Sequence, residues 1–291
     1  IEAFACHLPP QIESAMLVTR PKWINLEYLS AESWVETCHG APSPQSSGLS
    51  KYFFFPGFSQ KTGGLLCERA LSSQRAVFLQ DQAAWWQSLG WPCRPPQQLL
   101  VSLFCYPHAA VADLFDAWKQ GEQSVLCLIP EGIVSDALTQ YCQSRLRTGE
   151  RYTSGKLTLQ IIPFTDQTGY DRLLWACDLN FVRGEDSFVR AQWAARPFVW
   201  HIYPQAEDIH LEKLQAFLQR YQANLAMPVA TLIDQFSLAW NRGEGAQLAA
   251  LWPQIVLQLP QWRTHASAWA GFLAENGDLA DNLLQFIAKI D

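Results

Sequence analysis

The run Arg183–Ser187 combines a cation, a glycine, two carboxylates and a hydroxyl within five residues. The apolar residues Leu179–Val182 precede it and predict a short buried strand, and the glycine permits a tight or left-handed turn before a helix. At such a turn, the free N–H groups and the positive dipole end of the helix favour a phosphate. Arg183 adds a fixed positive charge, so the run predicts a ligand edge of an α/β sheet.

The two carboxylates of this run fit a bare diphosphate poorly, because Glu185 and Asp186 would repel it. They suit sugar hydroxyls or a catalytic role better. A purely structural role is equally compatible with the segment: both acids can complement the helix dipole, and Ser187 can cap the helix. The segment by itself leaves both interpretations open.

The composition narrows the class of protein. A chain of 291 residues can bury a large core, and its length suggests two domains. A net charge of -6 argues against a nucleic-acid surface as the main function. The 13 tryptophans and 13% aromatic residues are typical of a large core and also suit clefts that stack sugars or bases.

We recognise neither a membrane span nor a signal peptide, so we expect a cytoplasmic protein that does not contact membranes.

The cysteines and histidines do not form a recognisable metal or disulfide pattern. The 8 cysteines include no C-x-x-C pair, and most lie in apolar runs. Reduced, buried thiols are therefore the favoured interpretation. The 6 histidines are scattered, and we expect no metal site.

Two α/β domains and a helical C-terminus are predicted. Residues 1–95 form the first domain. Residues 96–250 form the second, where repeated strand–helix units predict a mostly parallel sheet with helices on both faces. Residues 251–291 form helices that pack back toward the first domain. The proline-dense stretch Trp91–Pro96 predicts a linker between the domains.

The C-terminal part of the chain is predicted to be helical. Its tryptophans Trp240, Trp252, Trp262 and Trp269 are expected to pack these helices rather than to bind a ligand. The predicted helices are Val229–Arg242, Ala246–Pro260, Trp262–Asn276 and Leu279–Ile290.

Loops that leave the carboxyl ends of parallel strands converge on one crevice. Tyr106, Phe164, Gln167 and Tyr170 fall on loops or helix starts of this kind, as does the run Arg183–Ser187. Topology therefore predicts that they lie together. Core packing is the alternative role for Phe164 and Tyr170, and the Tyr106 ring could either seal the sheet or stack on a base.

The stretch Arg183–Gln192, continued by Arg196–Gln205, resembles the bacterial elongation factor P arginine rhamnosyltransferases. The resemblance extends in order over nearly the whole chain. The other matching stretches are Ile1–Cys6, Trp23–Glu32, Tyr52–Phe58 and Thr62–Gly64.

This resemblance implies an α/β fold of the GT-B type, in which two Rossmann-like domains face each other and C-terminal helices cross back to the first. It implies inverting, metal-independent transfer of rhamnose from dTDP-β-L-rhamnose to an arginine of elongation factor P, without a cofactor. Family members begin with a further segment that carries an Asn-Phe-Gly-Asp motif, whose aspartate is the proposed catalytic residue. The present sequence starts after that motif, so we expect it to keep the donor half and to lose part of the acceptor half.

The resemblance also implies roles for single residues. Glu185 is the remaining catalytic candidate, which would hold the sugar or the acceptor. Tyr106 falls on the family's donor-binding aromatic residue after the first strand of the second half. The other residues implied to bind the donor are Phe164, Gln167 and Tyr170 at the thymine, and Arg183, Gly184, Asp186 and Ser187 at the diphosphate and sugar.

Two other functions are compatible with the same residues. One is an α/β module that binds a nucleotide or a protein without turnover. The other is a glycosyltransferase that uses another donor or another acceptor.

Overall fold

The contacts within the protein divide it into two compact units. In the computed structural model, which describes residues 1–91, 94 and 97–290, unit 1 consists of Ile1–Glu68, Gln215–Tyr221 and Gly271–Asp291. Unit 2 consists of Arg69–Leu214 and Gln222–Ala270. Residues 69–91, which the sequence placed in the first domain, therefore group with unit 2. Most of the predicted linker Trp91–Pro96, including the predicted boundary after residue 95, lies outside the described residues.

Unit 1 is built on a small sheet with the strand order β1-β2-β4-β3. Its strands pair in parallel except for β3, which runs antiparallel to β4. The elements of its first part are β1 (Glu2–Ala3), α1 (Pro10–Thr19), β2 (Trp23–Leu26), α2 (Val35–Cys38), β3 (Pro42–Pro44) and β4 (Ser50–Phe54).

Unit 2 contains the larger sheet and most of the helices. Its elements are α3 (Leu71–Gln80), α4 (Ala83–Ser88), β5 (Leu99–Leu103), α5 (Val111–Gln120), β6 (Val125–Pro130), α6 (Ser135–Cys142), β7 (Arg151–Ser154), β8 (Leu157–Ile162), α7 (Gln167–Ala176), β9 (Leu179–Arg183), α8 (Asp186–Ala194), β10 (Phe198–His201), the start of α9 (Ile209–Tyr221), α10 (Met227–Arg242) and most of α11 (Gly245–Ala274).

The final helix of the chain, α12 (Leu279–Lys289), belongs to unit 1. Both of its ends are satisfied by hydrogen bonds. Asp278 caps its start by accepting from the backbone N–H groups of Ala280 and Asp281, and the same side chain accepts from the N–H of Cys67 at 2.8 Å. At the other end, the Lys22 ammonium donates to the carbonyls of Ile287 and Ile290. These contacts fix the C-terminal helix within unit 1.

The sheet of unit 2 has the Rossmann strand order. Its order β10-β9-β5-β6-β8-β7 places the first strand, β5, between β6 and β9. Neighbouring strands pair in parallel except for β7, which runs antiparallel to β8. The α/β class and the mostly parallel sheet of the GT-B expectation are confirmed. In a sheet of this order the chain switches direction between β5 and β9, which opens a crevice at their carboxyl ends.

Apolar burial on both faces holds this sheet together. The strand Val125–Pro130 is buried along its whole length, as a central parallel strand covered on both faces must be. The Phe181 ring packs on Trp240 with centroids 4.7 Å apart, and Trp118 packs on Trp252 at 5.3 Å. Burying each such side chain stabilises the fold by about 1.5–3 kcal/mol. The expectation that the C-terminal tryptophans pack the helices is confirmed for Trp240 and Trp252.

One predicted helix boundary was wrong. The sequence predicted separate helices on either side of Gln261, but α11 is continuous from Gly245 to Ala274 and contains Pro253 and Pro260. A proline inside a helix costs about 3 kcal/mol, because it lacks an N–H and crowds the preceding turn. A single buried stripe continues past both prolines and offsets that cost. Its residues are Trp252, Ile255, Leu259, Trp262, Ala266 and Trp269.

The cysteines that the structure describes are all free thiols. Cys105, Cys127 and Cys177 are buried, whereas Cys6 is exposed. Burial raises the pKa of the Cys105 thiol to about 12, although the nearby charge of Arg183 opposes the shift. That thiol is therefore neutral at physiological pH.

A buried ion pair links the two helices that border the crevice. Nη1 of Arg190, on α8, lies 2.8 Å from each carboxylate oxygen of Asp171, on α7. Both side chains are almost fully buried. Because a buried charge without its partner is strongly unfavourable, each member of the pair depends on the other.

We expect Asp171→Asn to lower the free energy of unfolding by about 3 kcal/mol, because it leaves the Arg190 charge uncompensated in the interior. Urea unfolding followed by tryptophan fluorescence measures the change. The matched control is Asp136→Asn, which neutralises an exposed carboxylate on α6 and should shift the free energy by less than about 0.5 kcal/mol. Equal losses in the two variants would contradict a stabilising role for the pair.

Candidate functional site

A cavity of about 420 Å³ lies at the carboxyl ends of β5, β8 and β9. It is formed within unit 2, at the switch point of the strand order. The structure brings every sequence-predicted site residue to its wall. These are Tyr106, Phe164, Gln167, Tyr170, Arg183, Gly184, Glu185, Asp186 and Ser187.

The turn between β9 and α8 depends on Gly184. Its φ of +65° lies in the left-handed region, which a residue with a Cβ rarely adopts. A Cβ at this position would also lie 3.3 Å from the Tyr106 hydroxyl. The Gly184 carbonyl accepts a hydrogen bond from the Trp200 indole at 2.7 Å, and its N–H donates to the His201 carbonyl at 3.3 Å. The glycine therefore allows the tight turn, and β10 holds it in place.

Ser187 closes this turn and does not cap the helix with its side chain. The N-cap residue is Glu185, whose side chain makes no capping hydrogen bond. The Ser187 hydroxyl accepts from the Arg183 N–H at 3.0 Å and donates to the Arg183 carbonyl. The capping role considered for Ser187 is therefore wrong, and its hydroxyl instead fixes the backbone of Arg183. The first N–H groups of α8 have no acceptor within the helix, as at any helix start.

Arg183 places a positive charge at the cavity wall. Its guanidinium lies 4.5 Å from the centroid of the Phe104 ring and 5.1 Å from that of Tyr106, and it donates to the Cys105 carbonyl at 3.2 Å. Within the described part of the chain, Arg183 forms no ion pair with a carboxylate. The aromatic faces hold the cation without neutralising it, which leaves the charge available to an anionic ligand.

The two acids after Gly184 are exposed. Glu185 and Asp186 stand at the start of α8, where a negative charge is favourable to the helix dipole. Neither acid forms an ion pair with Arg183 in the described residues. Their carboxylates can accept hydrogen bonds from hydroxyl groups or from a guanidinium.

The other side of the cavity is aromatic. Phe164, on the loop after β8, is 72% exposed, so its ring is available for stacking. Gln167 is exposed at the start of α7, and Asp166 caps that helix by accepting from the Gly169 N–H at 2.8 Å. Tyr170 is half-buried, and burial raises the pKa of its hydroxyl, with Asp186 and Asp171 adding to the shift. A planar ring with polar edges would find both stacking and hydrogen-bonding partners here.

The sequence did not single out five further wall residues, which are Phe104, Pro130, Thr165, Asp166 and Arg190. Phe104 supports the Arg183 guanidinium, and Arg190 reaches the cavity from the buried face of α8. Phe104 could have been found as the residue that follows β5, next to Tyr106. Arg190 reads as an ordinary helical residue, and nothing in its local pattern distinguishes it.

In the residues that the structure describes, no three His, Cys, Asp or Glu side chains lie close enough together to hold a metal ion. None of the helices in that same part of the chain combines the length and the apolar composition needed to cross a membrane.

Known proteins resemble this chain along almost its whole length. The family model described as elongation factor P (EF-P) rhamnosyltransferase EarP matches residues 1–288. A protein-arginine rhamnosyltransferase of Pseudomonas aeruginosa is 47% identical over 294 residues, which cover 99% of this chain and 77% of the relative. One of Shewanella oneidensis is 42% identical over 306 residues, with 99% and 77% covered.

A solved structure extends the similarity to three dimensions. It is described as the structural basis for EarP-mediated arginine glycosylation of translation elongation factor EF-P. That chain is 38% identical, and the match has a TM-score of 0.73 and covers 81% of this chain and 75% of that one. From the family match and these identities, the chain belongs to the EF-P rhamnosyltransferase EarP family.

Proposed function

We propose that this protein transfers rhamnose from dTDP-β-L-rhamnose to an arginine side chain of elongation factor P, with inversion at the sugar and without a metal ion. The observation that carries the proposal is the Arg183 guanidinium, held over two aromatic rings beside a helix start at the switch point of the sheet. The relatives that are named protein-arginine rhamnosyltransferases support the sugar and the acceptor.

The diphosphate is proposed to lie across the turn at Gly184. There Arg183 supplies a full positive charge, and the N–H groups at the start of α8 supply further donors. In a metal-free transfer these protein groups must stabilise the charge that develops on the departing dTDP. The hydroxyl of Ser187 contributes by fixing Arg183, since it is already bonded to that residue's backbone.

The thymine is proposed to lie on the aromatic side of the cavity. The exposed Phe164 ring can stack on the base, and the half-buried Tyr170 lies on the same wall. The Gln167 amide offers both a donor and an acceptor, which match the imide edge of thymine. Tyr106 lies between this side and the turn and contacts Arg183.

The transfer itself forms one C–N bond and breaks one C–O bond. A guanidinium nitrogen of the acceptor attacks the anomeric carbon, dTDP leaves with the electron pair of the C–O bond, and the nitrogen gives up a proton. An arginine is protonated at neutral pH and is a poor nucleophile, so the site must orient it and draw positive charge away from the attacking nitrogen. Glu185, exposed beside the turn, is proposed to hold the sugar or the acceptor for this step.

Two measurements test the function as a whole. Elongation factor P incubated with dTDP-rhamnose and this protein should gain the mass of one deoxyhexose. In thermal-shift assays, dTDP should raise the melting temperature more than UDP or GDP does. Binding of dTDP without any mass gain would favour a module without turnover, and a stronger shift with UDP or GDP would favour a different donor.

We expect Arg183→Ala to weaken dTDP binding by about 2 kcal/mol, or about 30-fold in Kd, because it removes a charge-assisted contact to the diphosphate. Isothermal titration calorimetry measures the loss. The matched control is Lys156→Ala. It removes an exposed cation at the amino end of β8, whereas the cavity lies at the carboxyl end of that strand. If the Kd of Arg183→Ala equals that of the control, the diphosphate does not lie at this turn.

We expect Glu185→Gln to lower kcat at least about 100-fold while the Kd for dTDP changes less than about 3-fold, because the amide keeps the shape but loses the charge. The rate is read from the intact mass of elongation factor P over time. Glu122→Gln neutralises an exposed carboxylate before β6 and serves as the control. An unchanged kcat in Glu185→Gln would remove this residue from the mechanism.

A further inference from the structure

One buried histidine hydrogen-bonds to both segments that lie beside the Arg183 guanidinium. His201, at the end of β10, is 1% exposed. Its Nδ1 accepts a hydrogen bond from the Tyr106 N–H at 3.2 Å, and its backbone carbonyl accepts from the Gly184 N–H at 3.3 Å. His201 therefore joins the loop after β5 to the turn after β9, although its side chain is not part of the cavity wall.

The strand end that carries this histidine is itself fixed. Asn241, on α10, donates to the Trp200 carbonyl at 2.8 Å and accepts from the Ile202 N–H at 3.0 Å. The His201 ring also packs edge-on against Tyr106, with centroids 5.2 Å apart, and against Trp240 at 5.5 Å. These contacts fix the position of the imidazole, and its hydrogen bond from the Tyr106 N–H fixes the Tyr106 backbone in turn.

The hydrogen bond requires one protonation state of the ring. An acceptor Nδ1 carries no proton, so the neutral imidazole has its proton on Nε2. That Nε2 is buried and has no hydrogen-bond partner among the described residues. Burial lowers the pKa of His201, and with the smaller contributions of His108, Arg183 and His210 the pKa falls to about 3. The ring is therefore neutral at physiological pH, which keeps Nδ1 an acceptor.

A buried N–H without a partner is unfavourable, so a residue that leaves one is not explained by packing alone. An apolar residue would fill this position without that penalty. What the imidazole supplies here, and an apolar residue would not, is an acceptor for the Tyr106 N–H. The Tyr106 ring in turn contacts the Arg183 guanidinium.

We propose that His201 is a positioning residue for the sugar-nucleotide donor, which acts by fixing the Tyr106 loop against Arg183. The inference rests on the proposed function, because it assumes that the diphosphate lies at Arg183. It assigns His201 no direct contact with the donor. Its effect should therefore appear in donor affinity and should pass through Tyr106.

The test compares dTDP titrations of three variants at a temperature well below each melting point. His201→Leu removes the acceptor and should raise the Kd about 10-fold. His201→Asn keeps an acceptor near the position of Nδ1 and should restore the Kd to within about 3-fold of the wild type. The control is His210→Leu, since His210 is also buried and its Nδ1 accepts the Gln205 N–H at 3.2 Å, but it does not line the cavity. It should lower the melting temperature and leave the Kd unchanged.

A double-mutant cycle identifies the route of the effect. In a Tyr106→Ala background, His201→Leu should change the Kd by less than about 2-fold, because the group through which it acts is gone. Additive losses, or a wild-type Kd in His201→Leu, would overturn the positioning role while the proposed function stands. A wild-type protein that does not bind dTDP would instead overturn the proposed function, and this inference with it.

Discussion

The closed turn between β9 and α8 is the constraint on which the rest of the site depends. The Ser187 hydroxyl bonds to both the N–H and the carbonyl of Arg183, and Gly184 adopts a left-handed conformation that only a glycine takes without strain. The Trp200 indole holds the Gly184 carbonyl from the neighbouring strand. Together these bonds fix the direction in which the Arg183 side chain leaves the backbone, so the cation stays at the cavity wall instead of turning to an acidic neighbour.

The sheet of unit 2 places this turn beside the other residues that line the cavity. In the strand order of unit 2, β5 and β9 are neighbours although many residues separate them in the chain. Their carboxyl ends bring the Tyr106 loop beside the Arg183 turn, and β8 adds the exposed Phe164 from the other side. A cation, a helix start and an aromatic surface therefore meet in one cavity, a combination that suits the nucleotide diphosphate sugar of the proposed function. The buried Arg190–Asp171 pair holds the two bordering helices together beneath it.

The acidic residues around this cavity differ in how deeply they are buried. The inner acid, Asp171, is neutralised by Arg190, whereas Glu185 and Asp186 are exposed at the helix start. Water screens the exposed acids, so they repel a nearby anion less than a buried acid would. Two aromatic faces support the Arg183 guanidinium, which forms no ion pair with a carboxylate in the described residues. Under the proposed function, an anionic leaving group and a cationic acceptor approach the same small region, and this arrangement of charges suits both.

Much of the fold and of the site could be predicted from local sequence. The apolar run Leu179–Val182 identified a buried strand, and the strand–glycine–helix pattern at Arg183–Ser187 identified the turn, because both depend on neighbouring residues. Only the tertiary structure decided that α11 continues through Pro253 and Pro260, that residues 69–91 group with unit 2, and that His201 serves the Tyr106 loop. Each of these outcomes depends on burial against residues distant in the chain, and local spacing cannot encode such a partner.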